Sequence, residues 1–144
     1  MKKTNNKGFS LVELIVVVAI MAVLIGVLAP QFLRYVEKSR LQKDNSAIGE
    51  IANAVKIASA DETVNNAIGD TDAITPSGKA YSFSASGNAL EKELNKVLGA
   101  SVTLTSNKYA TAPTISITKA DGIVTVTASI YEKPDDTATK TVTY

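Results

Sequence analysis

The chain has 144 residues, 45% of them hydrophobic, with a formal net charge of +1 and neither cysteine nor histidine. That length supports one small domain plus an apolar segment. The missing thiols and imidazoles remove the commonest nucleophiles, general bases and transition-metal ligands together, leaving only perturbed carboxylates and lysines as catalytic groups. The expectations are therefore no enzyme activity, no cofactor, no metal site and no catalytic residue. The near-neutral charge, with Lys and Arg scattered beyond the first few positions, predicts no nucleic-acid partner.

The chain begins with the polar, basic stretch "MKKTNNKG", and residues 9–32 then carry a single charge, Glu13. About 20 helical residues span a bilayer core of roughly 30 Å, so this run is long enough to be a membrane helix. Three lysines precede it, which places its N-terminus on the cytoplasmic side. Small residues in "GVLAP" offer a signal-peptidase site, but the apolar stretch is long and a helical pattern continues past Pro30, so a retained anchor is the better reading. Glu13 is a cost in either case: a carboxylate inside the bilayer costs about 2.5–3.5 kcal/mol on insertion scales. Two explanations stand. The carboxylate sits near enough to the interface to stay hydrated, or it has a specific partner. A cut between Gly8 and Phe9 would create an ammonium one helical turn before it.

The stretch "KGFSLVEL", followed by an uncharged run to Pro30, resembles the class III leader of type IV prepilins and pseudopilins, with Glu13 five positions after Gly8. The resemblance covers about the first third of the chain. It implies that a membrane-bound prepilin peptidase cuts after Gly8 and methylates the new amine of Phe9, and that Glu13 attracts the Phe9 amine of a neighbouring subunit. It implies residues 1–8 as leader, 9–32 as the membrane and filament-core half of a long helix, and 33–144 as a globular head. Partners follow from the same resemblance: further copies in a helical filament, the peptidase, a pilus assembly platform and the cytoplasmic membrane. The protein would be a single-pass membrane protein before assembly and an extracellular filament subunit afterwards. Removing the leader takes away Lys2, Lys3 and Lys7 and leaves twelve basic against fourteen acidic side chains. The alternative within the family is a pseudopilin of a type II secretion or DNA-uptake apparatus.

Pro30 lacks an N–H and its ring meets the carbonyl of Gly26, so a kink is expected there, with local melting of the stretch as the alternative. Beyond it, Val36, Leu41, Ile48, Ile51, Val55 and Ala58 recur at helical spacings, and the helix is expected to run to about Ser59 with this stripe against the core of the head. From "SADETVNN" to "DAITPSGKA" the small and polar residues predict a connecting loop with a short helical turn.

"NALEKELNKVLG" reads as a helix with Asn88 as N-cap, Glu91 at the capping-box position, Leu90, Leu94, Val97 and Leu98 on one face, and Gly99 as its stop. The last third alternates apolar and hydroxyl residues in "SVTLT", "TISIT", "IVTVTASIY" and "TKTVTY", with "KADG" as a hairpin turn. Val124, Val126, Ala128 and Ile130 should face inward, and Pro113 and Pro134 fall at strand boundaries. The fold class expected is α+β: a long N-terminal helix packed on a C-terminal antiparallel meander, as in pilins. Asp70 with Asp72, and Glu132, Asp135 and Asp136, read as solvated turns, since neither group has the ligand spacing of a calcium loop.

Overall fold

A computed structural model describes residues 9–144. They fold into α1 (Leu11–Ala58), α2 (Glu62–Ala67), β1 (Thr71–Ile74), β2 (Ala80–Ser82), α3 (Ala89–Leu98), β3 (Ser101–Thr103), β4 (Ile115–Ala120), β5 (Ile123–Ile130) and β6 (Lys140–Thr143). The chain divides into two units, one ending at Val36 and one from Glu37 to Tyr144. The long helix and the antiparallel sheet give the α+β, pilin-like class expected from sequence.

In the first unit α1 contains Gly26 and Pro30 without a break in its helical assignment. None of its described side chains is buried. A helix that is apolar on all sides leaves no polar face for water, so its surface calls for lipid or other apolar helices.

In the second unit the C-terminal part of α1 presents Leu41, Ile48, Ile51 and Val55 to the core, with Ala52 and Ala54 beside them. Val36 and Ala58, expected on the same stripe, are half-buried. The sheet facing them has the order β1-β4-β5-β6, all antiparallel. Register carries the pattern across it: Ile117 pairs with Val126, and Ile115 with Ala128, which pairs in turn with Val142. Because side chains alternate faces, Val124, Val126 and Ala128 are buried together. The turn between β4 and β5 has positive φ at Asp121 (52°) and Gly122 (77°), the conformation that "DG" favours in a two-residue hairpin. The C-terminal Tyr144 lies over Gly49, where a Cβ would come within 3.3 Å of its ring.

Two expectations about the head are corrected. Residues 71–74 and 80–82 form β1 and β2 rather than loop: β1 adds to the edge of β4, and β2 pairs with β3 in a separate two-stranded sheet. "SVTLT" therefore does not join the meander. Its alternation correctly implied a strand, but Leu104 continues into the core while β3 takes its backbone partner from β2. In α3, Asn88 caps as expected, accepting from the Glu91 N–H at 2.8 Å, and Gly99 ends the helix at φ 84°. Leu90 and Leu94 are buried and Leu98 half-buried, but Val97 is 64% exposed because none of the described residues covers its side of the last turn. Asn95 ties α3 down by donating from Nδ2 to the Phe83 carbonyl at 2.7 Å.

Candidate functional site

The single acid of the apolar run is engaged within its own chain. Ser10 precedes α1, and its Oγ accepts from the Val12 N–H at 3.3 Å. Glu13 Oε2 in turn accepts from the Ser10 N–H at 2.9 Å. Reciprocal bonds of this kind make a capping box, which satisfies N–H groups that the first turn would otherwise leave without partners. A negative charge in that turn also complements the positive end of the helix dipole. The pattern S-x-x-E was present in "FSLVEL" and its capping role was not anticipated; the spacing of Ser10 and Glu13 is the signal that identifies it.

Phe9 stands immediately before this cap with 94% of its surface exposed. Gly8, the expected cleavage position, lies outside the described residues, as does the rest of the expected leader. Gly26 has open space where a Cβ would sit, and Pro30 lies one helical turn further on. By length and composition α1 is able to cross a membrane.

In the head, two carboxylates of α1 hold the segment between β3 and β4. Asp44, 1% exposed, accepts from the Thr105 N–H through both oxygens at 2.9 Å, from Thr105 Oγ1 at 3.2 Å, and from the Ser106 N–H at 2.7 Å. Glu37, two turns earlier, accepts from Ser106 Oγ and from the Asn107 N–H, both at 2.6 Å. Burial pushes the Glu37 carboxyl up, but the hydrogen bonds from Ser106, Asn107 and Lys108 and the nearby Arg40 outweigh it and hold the group below its ordinary value. Asn45 extends the clasp: it accepts from Tyr109 Oη and donates to the Tyr131 carbonyl, both at 2.7 Å. Burial outweighs the Tyr131 N–H bond to that phenol and pushes Tyr109 up to about 12, so the hydroxyl stays protonated and able to donate. Nothing in the sequence patterns singled out this network, although the heptad gap between Leu41 and Ile48 marks where Asp44 enters the buried stripe.

The acidic turns are used by the backbone around them. Asp136 Oδ2 accepts from the N–H groups of Glu132 (3.1 Å) and Lys133 (2.8 Å), and Glu132 pairs with Lys140 at 2.8 Å. Asp72 accepts from the N–H of Ala73 at 2.8 Å. Among the described residues, no group of three or more Asp or Glu side chains converges as a metal site would require. A groove of about 530 Å³ between α2 and α3 is lined by Asp61, Glu93, Lys92 and Lys96, in which the opposite charges offset one another.

Residues 3–29 match the family model of the prokaryotic N-terminal methylation motif. The first third of this chain is similar to type IV pilins. A type IV major fimbrial protein, FimA, of Dichelobacter nodosus is 35% identical over 54 residues, covering 38% of this chain and 35% of its own length. A prepilin peptidase-dependent protein A of Clostridium perfringens is 25% identical over 97 residues, covering 67% of this chain and 69% of its own. The chain thus spans about a third of the fimbrial relatives it matches. No solved structure matches it. The capping box of Ser10 and Glu13 falls inside the matched motif, as do positions 8, 9 and 26, whereas Pro30 and the head lie beyond it.

Proposed function

We propose that this chain is a structural subunit of a type IV pilus. A prepilin peptidase cuts after Gly8 and methylates the Phe9 amine, and the apolar half of α1 then passes from the cytoplasmic membrane into the core of a helical surface filament. The observation that carries the reading is the methylation motif on a helix whose apolar surface is exposed on every side. Such a surface is satisfied by lipid before assembly and by the same helix of other copies after it.

Glu13 has one role in each state. In the precursor Phe9 N is an amide and carries no charge, and the carboxylate caps its own helix through the Ser10 N–H. Hydrolysis of the Gly8–Phe9 bond gives Phe9 an ammonium, which stays cationic on N-methylation. In the apolar core of a filament an uncompensated carboxylate is costly, so a neighbouring subunit that supplies this ammonium is favoured in one register over others. Gly26 and Pro30, weak helix positions, give α1 a place to kink or melt as copies pack. The head, held together by a sheet and a carboxylate clasp, supplies the outer surface, and no catalytic role is assigned to it.

Two variants separate the roles of Glu13. Glu13→Gln keeps an oxygen that accepts from Ser10 but loses the charge; Glu13→Ala loses both. Both insert and are cleaved nearly as the parent, and both enter filaments poorly, as scored by electron microscopy and by the protein sheared from cells. Normal filament yield from Glu13→Gln would leave Glu13 with its capping role alone and refute the intersubunit pairing.

A further inference from the structure

Counted along the chain the basic residues are scattered, but their exposure and neighbours set one group apart. Arg34, Lys38, Arg40 and Lys43 are all exposed and follow the end of the apolar run within eleven residues. The only acid among residues 33–43 is Glu37, whose Oε1 is taken by Ser106 and Asn107 and whose Oε2 lies 4.0 Å from Arg40. Among the described residues, neither Lys38 nor Lys43 has a carboxylate within ion-pair distance. Asp44 is buried with its oxygens occupied by the clasp. Residues 44–144 carry eight lysines against twelve acids, a net charge of −4. The head therefore has a basic collar at the start of its sequence and an acidic remainder.

We infer that Lys38, Arg40 and Lys43 form a collar that binds the anionic phosphate headgroups of the membrane leaflet from which α1 emerges. The inference rests on the membrane-anchor reading of residues 9–32. At about 100° per residue Lys38 and Lys43 fall on opposite flanks of the buried stripe of α1. Both side chains are exposed to solvent, which suits a diffuse layer of headgroups better than a single shaped ligand. An anionic leaflet attracts this collar and repels the acidic remainder, and each exposed Lys or Arg near the surface strengthens the attraction about five-fold. The charges also stand on the opposite side of the apolar run from Lys2, Lys3 and Lys7, so loss of the leader leaves the basic flank on the outer side alone.

The test uses the full chain, whose lack of cysteine permits a single fluorophore on Ser39→Cys. The labelled protein is reconstituted in phosphatidylcholine vesicles containing a minor fraction of nitroxide-bearing lipid, either phosphatidylglycerol or phosphatidylcholine. The collar predicts that the phosphatidylglycerol quencher is enriched beside the label roughly five-fold or more. It also predicts that 1 M salt, which shortens the screening length to about 3 Å, removes the excess. The triple variant Lys38→Gln, Arg40→Gln, Lys43→Gln should quench equally with both lipids. Protein that floats with vesicles but shows equal quenching overturns the collar while leaving the anchor intact, whereas protein that does not float with vesicles overturns both. Equal quenching of the parent, together with loss of filaments in the triple variant, assigns these charges to the acidic head of a neighbouring copy and also overturns lipid binding.

Discussion

Replacing Asp44 by Ala removes the acceptor for two backbone N–H groups, those of Thr105 and Ser106, and for the Thr105 hydroxyl. Ser106 is completely buried, so water does not take over there without opening the segment between β3 and β4. Each buried donor left without a partner costs about 1–3 kcal/mol, and hydrogen bonds to a charged acceptor lie toward the upper part of the range. The buried Ser106 donor gives a loss of about 1–3 kcal/mol, to which the donors of Thr105, an exposed residue, add less, against the 5–15 kcal/mol typical of a folded domain. Asp44→Asn is the informative partner variant. Its amide oxygen still accepts from Thr105, but its NH₂ faces the Ser106 N–H, so it should lose about 1–3 kcal/mol. The assay is urea denaturation of the full chain in detergent, followed by near-ultraviolet circular dichroism of the tyrosines, with both variants compared at matched slope. A stability loss for Asp44→Ala within about 0.5 kcal/mol, the range of ordinary surface substitutions, would refute the claim that this carboxylate holds the β3–β4 segment.

Further outcomes follow from the same geometry. The Glu37 carboxyl is held below its reference value of 4.5, so its contribution is fully present above that pH and is lost as pH falls through the lower folded value. The stability gap between parent and Glu37→Gln should accordingly be constant from pH 7 down to about 5 and shrink below; a gap that widens on acidification contradicts the assignment. Tyr81, fully buried, donates to the Pro113 carbonyl at 2.6 Å, and Tyr81→Phe should cost about 0.5–1.5 kcal/mol in the same denaturation assay. Ser10→Ala removes the side-chain half of the capping box, and faster amide exchange at Val12 in detergent micelles, with Ile48 unaffected, is the expected sign.

The elements that sequence made legible are those whose signals are local. The long apolar run, the stripe of Leu41, Ile48, Ile51 and Val55, the Asn88 cap and the "DG" turn each depend on neighbours a few residues away, and each appears in the structure where expected. β1 and β2 were not legible, because Thr71, Ala73 and Ala80 are too small or polar to mark a strand. Their order comes from β4 and β3, 43 and 23 residues away at Ala73↔Ser116 and Ala80↔Thr103. Position 44 shows the same limit at a single side chain. An Asp on a buried helical stripe looks like an error of pattern until the segment that donates to it, 61 and 62 residues later, is in place. Glu13 is the opposite case: its fixed offset from Gly8 drew attention to a partner in another subunit, while the Ser10 N–H three residues away already donates to its carboxylate locally.

The central claim, that this is a pilin processed at Gly8, is tested most directly by mass spectrometry of the N-terminus of the protein isolated from its native cells. The account predicts a mature chain that begins at Phe9 with a methylated amine. A chain that retains residues 1–8, or one that begins elsewhere than at Phe9, would contradict it.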